Sequence, residues 1–371
     1  IMDNMKQVAF IGDPHGNLAG YTAVTEVLNA LGVKERHITG DLSGKLSPDA
    51  GEYASAVTRD QASFTRGARD AAAQRNSSLR NCLKAGTRSK KQLAHMTNPR
   101  AAMLEAAKRH NQNTYGKFRD IDPTAKTNAG NHDDGAVLEE IHKDNYLQTG
   151  RSTSNGIKYV TLNGGGAGPD KEMGGVENPD SRADFPGKDE WRSREGKEIL
   201  LQPGEDNQID VLETHCGLPK PGRHNDANSS QNLDTLIERE RMGLPKVGLL
   251  VEGHHHTSRV HFGWDTYTQE TTGTQLEQLT LSPGVLAYNT VDPNQTSSHG
   301  SFAVTKFNDK NQAVQVDEYH VVNALEGIQK VIHHGTHYAD HENKKVTFKG
   351  VNKTIYSEAI KNDFKPSKEL D

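Results

Sequence analysis

Val8-Ala9-Phe10-Ile11-Gly12-Asp13-Pro14-His15-Gly16-Asn17 is the stretch from which the rest of the chain can be read. The apolar, partly β-branched run at 8–11 has the length of a buried strand. A strand that ends in Asp-x-His delivers a carboxylate and an imidazole together at a sheet edge. The glycines beside them let the backbone turn sharply and leave room for a ligand. Downstream, Leu18, Tyr21, Val24, Val27, Leu28 and Leu31 fall at helical spacing, and 33–39 reads as a second strand leading to Asp41. This is a β-α-β unit, right-handed with parallel strands.

Three later stretches repeat the theme: Gly130-Asn131-His132-Asp133, Thr214-His215-Cys216-Gly217 and Gly253-His254-His255-His256. The runs 209–213 and 247–251 are strand candidates that deliver the second and third of these. The run 124–129 is a weaker, polar one before the first. Strand ends are where open α/β sheets place their chemistry. Asp, Asn and His donors spread over so many of them suit hard-to-borderline divalent ions bound in pairs.

The order Asp-x-His, Gly-Asp, Gly-Asn-His, His, Gly-His-x-His resembles the calcineurin-like metallophosphoesterase superfamily. Asp13-Pro14-His15-Gly16-Asn17 and Thr214-His215-Cys216-Gly217-Leu218-Pro219 are most similar to its phosphoprotein-phosphatase branch, while Gly253-His254-His255-His256 is closer to phosphodiesterases and nucleases. The resemblance implies an α/β fold, a four-layer β-sandwich flanked by helices. It also implies two divalent ions, Mn²⁺ foremost, with Fe, Zn, Ni or Mg as alternatives. These ions bind the substrate phosphate and activate a water for attack. Carried over position by position, it gives Asp13, His15 and His256 to the first ion and Asn131, His215 and His254 to the second, with Asp41 bridging. The family spacing selects His254 and His256 from the three consecutive histidines. His132 is implied as the group above the phosphate that protonates the leaving oxygen or stabilises transition-state charge.

Two departures follow Asp41. The family's second Asp, which orients the acid histidine, is replaced by Gly44, so that task passes to Asp133 or Asp134. An Arg that grips phosphate in the phosphatases is replaced by Lys45, a point charge without the bidentate fork.

The expected organisation is a metallophosphoesterase domain over 1–340, interrupted by a helical insertion at 44–127, with a peripheral polar tail at 341–371. The insertion carries 16 Lys+Arg against 7 Asp+Glu, net +9, in a chain whose net charge is −5. It is read as two or more helices with a break near Thr97-Asn98-Pro99, standing beside the site as a substrate cap. The glycine run 164–168 lacks the ending of a nucleotide-binding P-loop and reads as a loop that continues to about 197. Strands are expected at 277–281, 302–307 and 313–319, a helix at 321–333, and surface positions for His333, His334, His337 and His341.

An overall charge of −5 excludes a generally basic nucleic-acid binder. Only Cys82 and Cys216 are present, and no stretch approaches the roughly 18 apolar residues of a membrane span. The chain therefore reads as a soluble, cytoplasmic protein of a reducing compartment. Its favoured function is hydrolysis of phosphate monoesters, with phosphoprotein as the substrate. A phosphodiesterase or nuclease acting on nucleotides or nucleic acid is the alternative, and a non-catalytic binding module the third reading. The insertion's aromatics, Tyr53, Phe64, Tyr115 and Phe118, are few for base stacking.

Overall fold

The computed structural model describes residues 5–42, 112–130, 133, 135–163, 194–203, 207–215, 217–218, 235–254, 257–263, 277–286, 299–324 and 328–359. In chain order the strands are β1 (Lys6–Ile11), β2 (Glu35–Ile38), β3 (Lys126–Thr127), β4 (Gly150–Ser154), β5 (Ile157–Leu162), β6 (Val211–Thr214) and β7 (Leu249–Glu252). Then follow β8 (Arg259–Phe262), β9 (Leu279–Ser282), β10 (His299–Phe307), β11 (Ala313–Ala324), β12 (Ile328–Asp340) and β13 (Lys345–Ala359). The helices are α1 (Leu18–Ala30), α2 (112–121), α3 (Gly135–His142), α4 (Arg194–Leu201) and α5 (235–241). One sheet runs β13-β12-β11-β10-β1-β2-β3 and the other β4-β5-β6-β7-β9-β8.

Alternation along β1 builds the layers. Val8 and Phe10 point toward the second sheet and pack with Tyr159, Val211, Leu249, Val251 and Leu281. Ala9 and Ile11 point the other way, into a cluster with Tyr21, Val24 and Leu28 of α1, Tyr115 and Phe118 of α2, and Val137 and Leu138 of α3. The outer face of the second sheet is covered by Leu200 of α4 and by Leu236 and Ile237 of α5. The result is four layers, helix-sheet-sheet-helix, as expected from the family resemblance.

Helix α1 starts where Asn17 Oδ1 accepts the Gly20 N–H at 2.9 Å. It stops at Gly32, whose φ of +71° lets the Val33 N–H reach back to the Leu28 carbonyl at 2.9 Å. This fixes the return of the chain into β2. Within the first sheet β1, β2 and β3 are parallel, and within the second β5, β6, β7 and β9 are parallel. The loops that follow these strands therefore gather at one end of the sandwich.

Three parts of the sequence reading are corrected here. The stretch 321–333 is not a closing helix: β11 continues to Ala324 and β12 begins at Ile328. Part of the expected tail, Lys345–Ala359, is a strand that pairs with β12 along the sheet edge. Residues 112–127, assigned to the insertion, belong to the core, since Tyr115 and Phe118 are fully buried and Phe118 lies edge-on to Tyr21 at 5.0 Å. The remaining insertion and the glycine run 164–168 lie outside the described residues. Among the described residues no helix is long and apolar enough to cross a membrane.

A polar staple joins the two sheets. His37 of β2 is buried between Glu213 of β6, 2.8 Å from Nδ1, and Glu35, 2.9 Å from Nε2. Burial opposes charge on this imidazole, but the two carboxylates outweigh it and lift its pKa to about 9. Glu35 is likewise opposed by burial, and its bonds to His37 and Lys126 pull it down to about 2. A raised histidine stabilises the fold fully below its ordinary value of 6.5 and loses this as pH climbs through about 9. A lowered carboxyl stabilises above 4.5 and loses this as pH falls through about 2. Changing His37 to Phe takes the imidazole from buried Glu213 and one bond from Glu35, which keeps Lys126, at a cost of about 3–5 kcal/mol. Urea unfolding at pH 6 is expected to show that loss, and the parent, but not the variant, to lose this contribution between pH 6 and 9. Equal midpoints for the two proteins at pH 6 would contradict it.

Candidate metal centre

Each candidate ligand that the structure describes sits just past the end of a parallel strand. Asp13 and His15 follow β1, Asp41 follows β2, His215 follows β6 and His254 follows β7. His15, Asp41 and His254 have φ values of 44°, 51° and 59°, in the left-handed region that non-glycine residues seldom occupy. Such strain persists only where the surroundings hold it, and it gathers at functional sites. Here backbone bonds hold it: the His15 N–H donates to the Asp41 carbonyl and the Gly16 N–H to the Leu42 carbonyl, both at 2.9 Å. The Leu286 N–H donates to the Asp13 carbonyl at 3.0 Å, and Asn17 Nδ2 donates to the Leu286 carbonyl at 2.7 Å.

The side chains form two groups that share Asp41. Asp13, His15 and Asp41 have ligand atoms within 4.8 Å of one another, and so do Asp41, His215 and His254. His215 Nε2 is 3.2 Å from Asp41 Oδ2, and His15 Nε2 is 3.9 Å from the same oxygen. His215 Nδ1 donates to the Thr39 carbonyl at 2.8 Å, which fixes the ring and leaves Nε2 as the ligating atom. Asp13 Oδ1 accepts the His254 N–H at 3.1 Å, tying the first loop to the fourth.

Asp13, Asp41 and His215 are all buried. Burial would push the His215 pKa down, but Asp41 and then Asp13 overcome it and raise it to about 9. Two buried carboxylates therefore create a field that holds positive charge, and a divalent ion satisfies it by replacing the proton on Nε2. Two aspartates with three histidines suit Mn²⁺, Fe²⁺ or Zn²⁺.

Asp133 is also buried, and it acts on backbone. Its Oδ2 accepts the Gly130 N–H at 2.9 Å and the Leu42 N–H at 3.3 Å, while its Oδ1 accepts from the Tyr115 hydroxyl at 3.1 Å. It thus joins the loop after β3 to the loop carrying Asp41. Lys45, Asn131, His132 and His256 lie outside the described residues. The sequence reading missed Thr39, whose carbonyl orients His215, and Tyr115, which braces Asp133. Tyr115 and Phe118 at helical spacing were the available signal for a core helix there.

Glycine at 253 is required by close approach. A Cβ there would stand 2.6 Å from the Thr39 carbonyl oxygen, 2.7 Å from His215 Nδ1 and 2.8 Å from Asp13 Oδ1. The first two are the acceptor and the donor of the bond that orients His215. Gly253→Ala is expected to lower Mn²⁺ affinity about 10–100-fold while leaving the far-ultraviolet circular dichroism unchanged. Equilibrium dialysis giving the parent affinity would show that this bond does not matter to the ion.

No protein-family model matches the chain, and no curated protein matches it in sequence. Among solved structures it is similar to TT1561 of Thermus thermophilus, at 8% identity and a TM-score of 0.41 over 94% of this chain and 99% of that one. It is similar also to a metallophosphoesterase from Sphaerobacter thermophilus, at 12% identity and a TM-score of 0.33 over 85% of this chain and 88% of that one. A third is an archaeal phosphodiesterase, at 10% identity and a TM-score of 0.32 over 84% of this chain and 98% of that one.

Proposed function

We propose that this chain is a dinuclear metal-dependent phosphoesterase that hydrolyses phosphate monoesters, with phosphoproteins as the substrate class. One observation carries the reading: donor atoms from four separate strand ends meet in two groups that share the single carboxylate of Asp41. Two divalent ions bound there supply charge for the phosphate oxygens and a nucleophile at neutral pH. The chain's own residues do the rest. Asp13, His15 and His256 would hold one ion, Asn131, His215 and His254 the other, and Asp41 would be shared by the two. The Thr39 carbonyl keeps His215 from turning away and Asp133 ties the backbone of Gly130 to that of Leu42, so little reorganisation accompanies the reaction. His132 delivers a proton to the leaving oxygen, and Lys45 adds positive charge beside the phosphate.

The burial of Tyr115 and Phe118 bears on the substrate. It removes two of the four aromatics that a nucleic-acid reading would use, leaving Tyr53 and Phe64 in the basic stretch. The test is a Mn²⁺-loaded preparation assayed in parallel on p-nitrophenyl phosphate, its bis-ester, phosphopeptides and single-stranded DNA. The monoester and the phosphopeptides are expected to turn over fastest. Faster cleavage of the bis-ester or of DNA would make the chain a phosphodiesterase or nuclease. No cleavage of any of them would make it a binding module.

A further inference from the structure

A second group of metal-ligating side chains lies on the β11–β12 ribbon, on residues that the metal centre does not use. Glu318 and His320 are two positions apart on β11 and so share a face. On β12, Tyr319 pairs with His333 while Glu318 pairs with Gly335, which leaves His334 as an extra residue in a bulge. A bulge re-aims a side chain, and it brings the His334 ring over His320, with centroids 4.2 Å apart and planes 13° from parallel. His337 comes from one turn of the pleat further on. Its Nε2 is 2.9 Å from Glu318 Oε2, while His320 Nε2 is 3.1 Å from Glu318 Oε1.

His334 Nδ1 meets Asn352 Oδ1 of β13 at 3.1 Å, an amide oxygen that can only accept, so Nδ1 carries the hydrogen and Nε2 is left as the ligating atom. Phe348 backs both His334 and His337, with centroids at 5.4 and 4.7 Å. Glu318 is buried and also bonds the Ser258 side chain, whereas His320 and His337 keep partial access to solvent. An ion thus has an anionic anchor below and an entry path above.

We propose that Glu318, His320, His334 and His337 form a third cation site, taking one divalent ion of the zinc class. Three imidazoles and one carboxylate are the donor set of a tetrahedral zinc site rather than of Mg²⁺ or Ca²⁺, which take oxygen. Bonds of about 2.0–2.1 Å in a tetrahedron put neighbouring ligand atoms about 3.3 Å apart. His320 Nε2 stands 3.1 Å from Glu318 Oε1, close to that value, and His337 Nε2 approaches the other oxygen, Oε2, at 2.9 Å, as the fourth donor. The ligand atoms of Glu318, His320 and His334 lie within 4.8 Å of one another, so the His334 Nε2 has a short distance to close. The site ties β11, β12 and, through Asn352, β13 into one unit, and its role is to brace the long outer ribbon. The inference does not depend on the phosphoesterase reading.

The test uses the full chain and Zn²⁺ itself, comparing the parent with the double variant His320→Ala/His334→Ala. Equilibrium dialysis is expected to give one zinc fewer per chain in the variant. The zinc-induced rise in Tm is expected to disappear, while Mn²⁺-dependent hydrolysis of p-nitrophenyl phosphate stays within about twofold of the parent. Glu318→Gln, which keeps the size of the side chain but removes the anionic ligand, should lose the same zinc and guards against a double variant that fails to fold. An unchanged zinc count in the variants would overturn the proposal. So would a Tm that falls by the same amount with and without zinc, because the group would then be a hydrogen-bonded histidine cluster only.

Discussion

Asp41→Asn is expected to abolish phosphoester hydrolysis, lowering turnover by at least about 10²-fold, the cost of one preorganised charge-stabilising group. Bound Mn²⁺ should fall with it, since Asp41 is common to both donor groups. The substitution separates charge from structure. Asparagine accepts the left-handed conformation at φ 51° as readily as aspartate does. It is the same size, which matters because Gly130 packs against this side chain so closely that a Cβ there would stand 2.2 Å from Asp41 Oδ1. The backbone bonds from Asp41 and Leu42 to His15 and Gly16 do not involve the side chain and should survive. Thermal unfolding of the variant without added metal should therefore match or exceed that of the parent, since one buried negative charge is gone. Turnover and Mn²⁺ binding are measured on the same sample. Retention of more than a tenth of the parent turnover would show that Asp41 does not bridge.

The β-α-β unit and the strands β6 and β7 were legible because each has a short apolar run bounded by turn residues, and burial on both faces demands such a run. The gathering of Asp13, His15, Asp41, His215 and His254 followed from parallel strands that end on one side. The outer ribbon was not legible in the same way. The apolar residues within 321–333 fit helical spacing, yet Val321, Val322, Val331 and Ile332 are β-branched and occupy paired strands. Strand β13 reads as a polar tail because most of it is exposed, and Lys345, Lys349 and Lys353 are the charges that keep an open edge from pairing with another chain. The task given to Asp133 was also only partly legible. Its place beside His132 suggested a partner for that residue, which lies outside the described residues, while the bonds to the backbone of Gly130 and Leu42 gave no signal in the sequence.

Those bonds lead to the second large effect. Gly130 and Asp133 flank His132 in sequence, and Asp133 Oδ2 accepts both the Gly130 N–H and the N–H of Leu42, next to Asp41. The role proposed for His132 is to donate a proton to the leaving oxygen rather than to bind an ion. His132→Ala is expected to leave bound Mn²⁺ unchanged and to lower kcat about 10²–10⁴-fold. Loss should be largest for substrates with poor leaving groups, such as phosphoserine peptides, and smallest for p-nitrophenyl phosphate, whose leaving phenolate hardly needs a proton. The alkaline limb of the rate profile, which reports loss of the acid's proton, should disappear in the variant. If His132→Ala instead releases metal, the residue is a ligand and the acid must be sought elsewhere. If both substrates slow equally while metal is retained, His132 stabilises charge on the phosphate and transfers no proton.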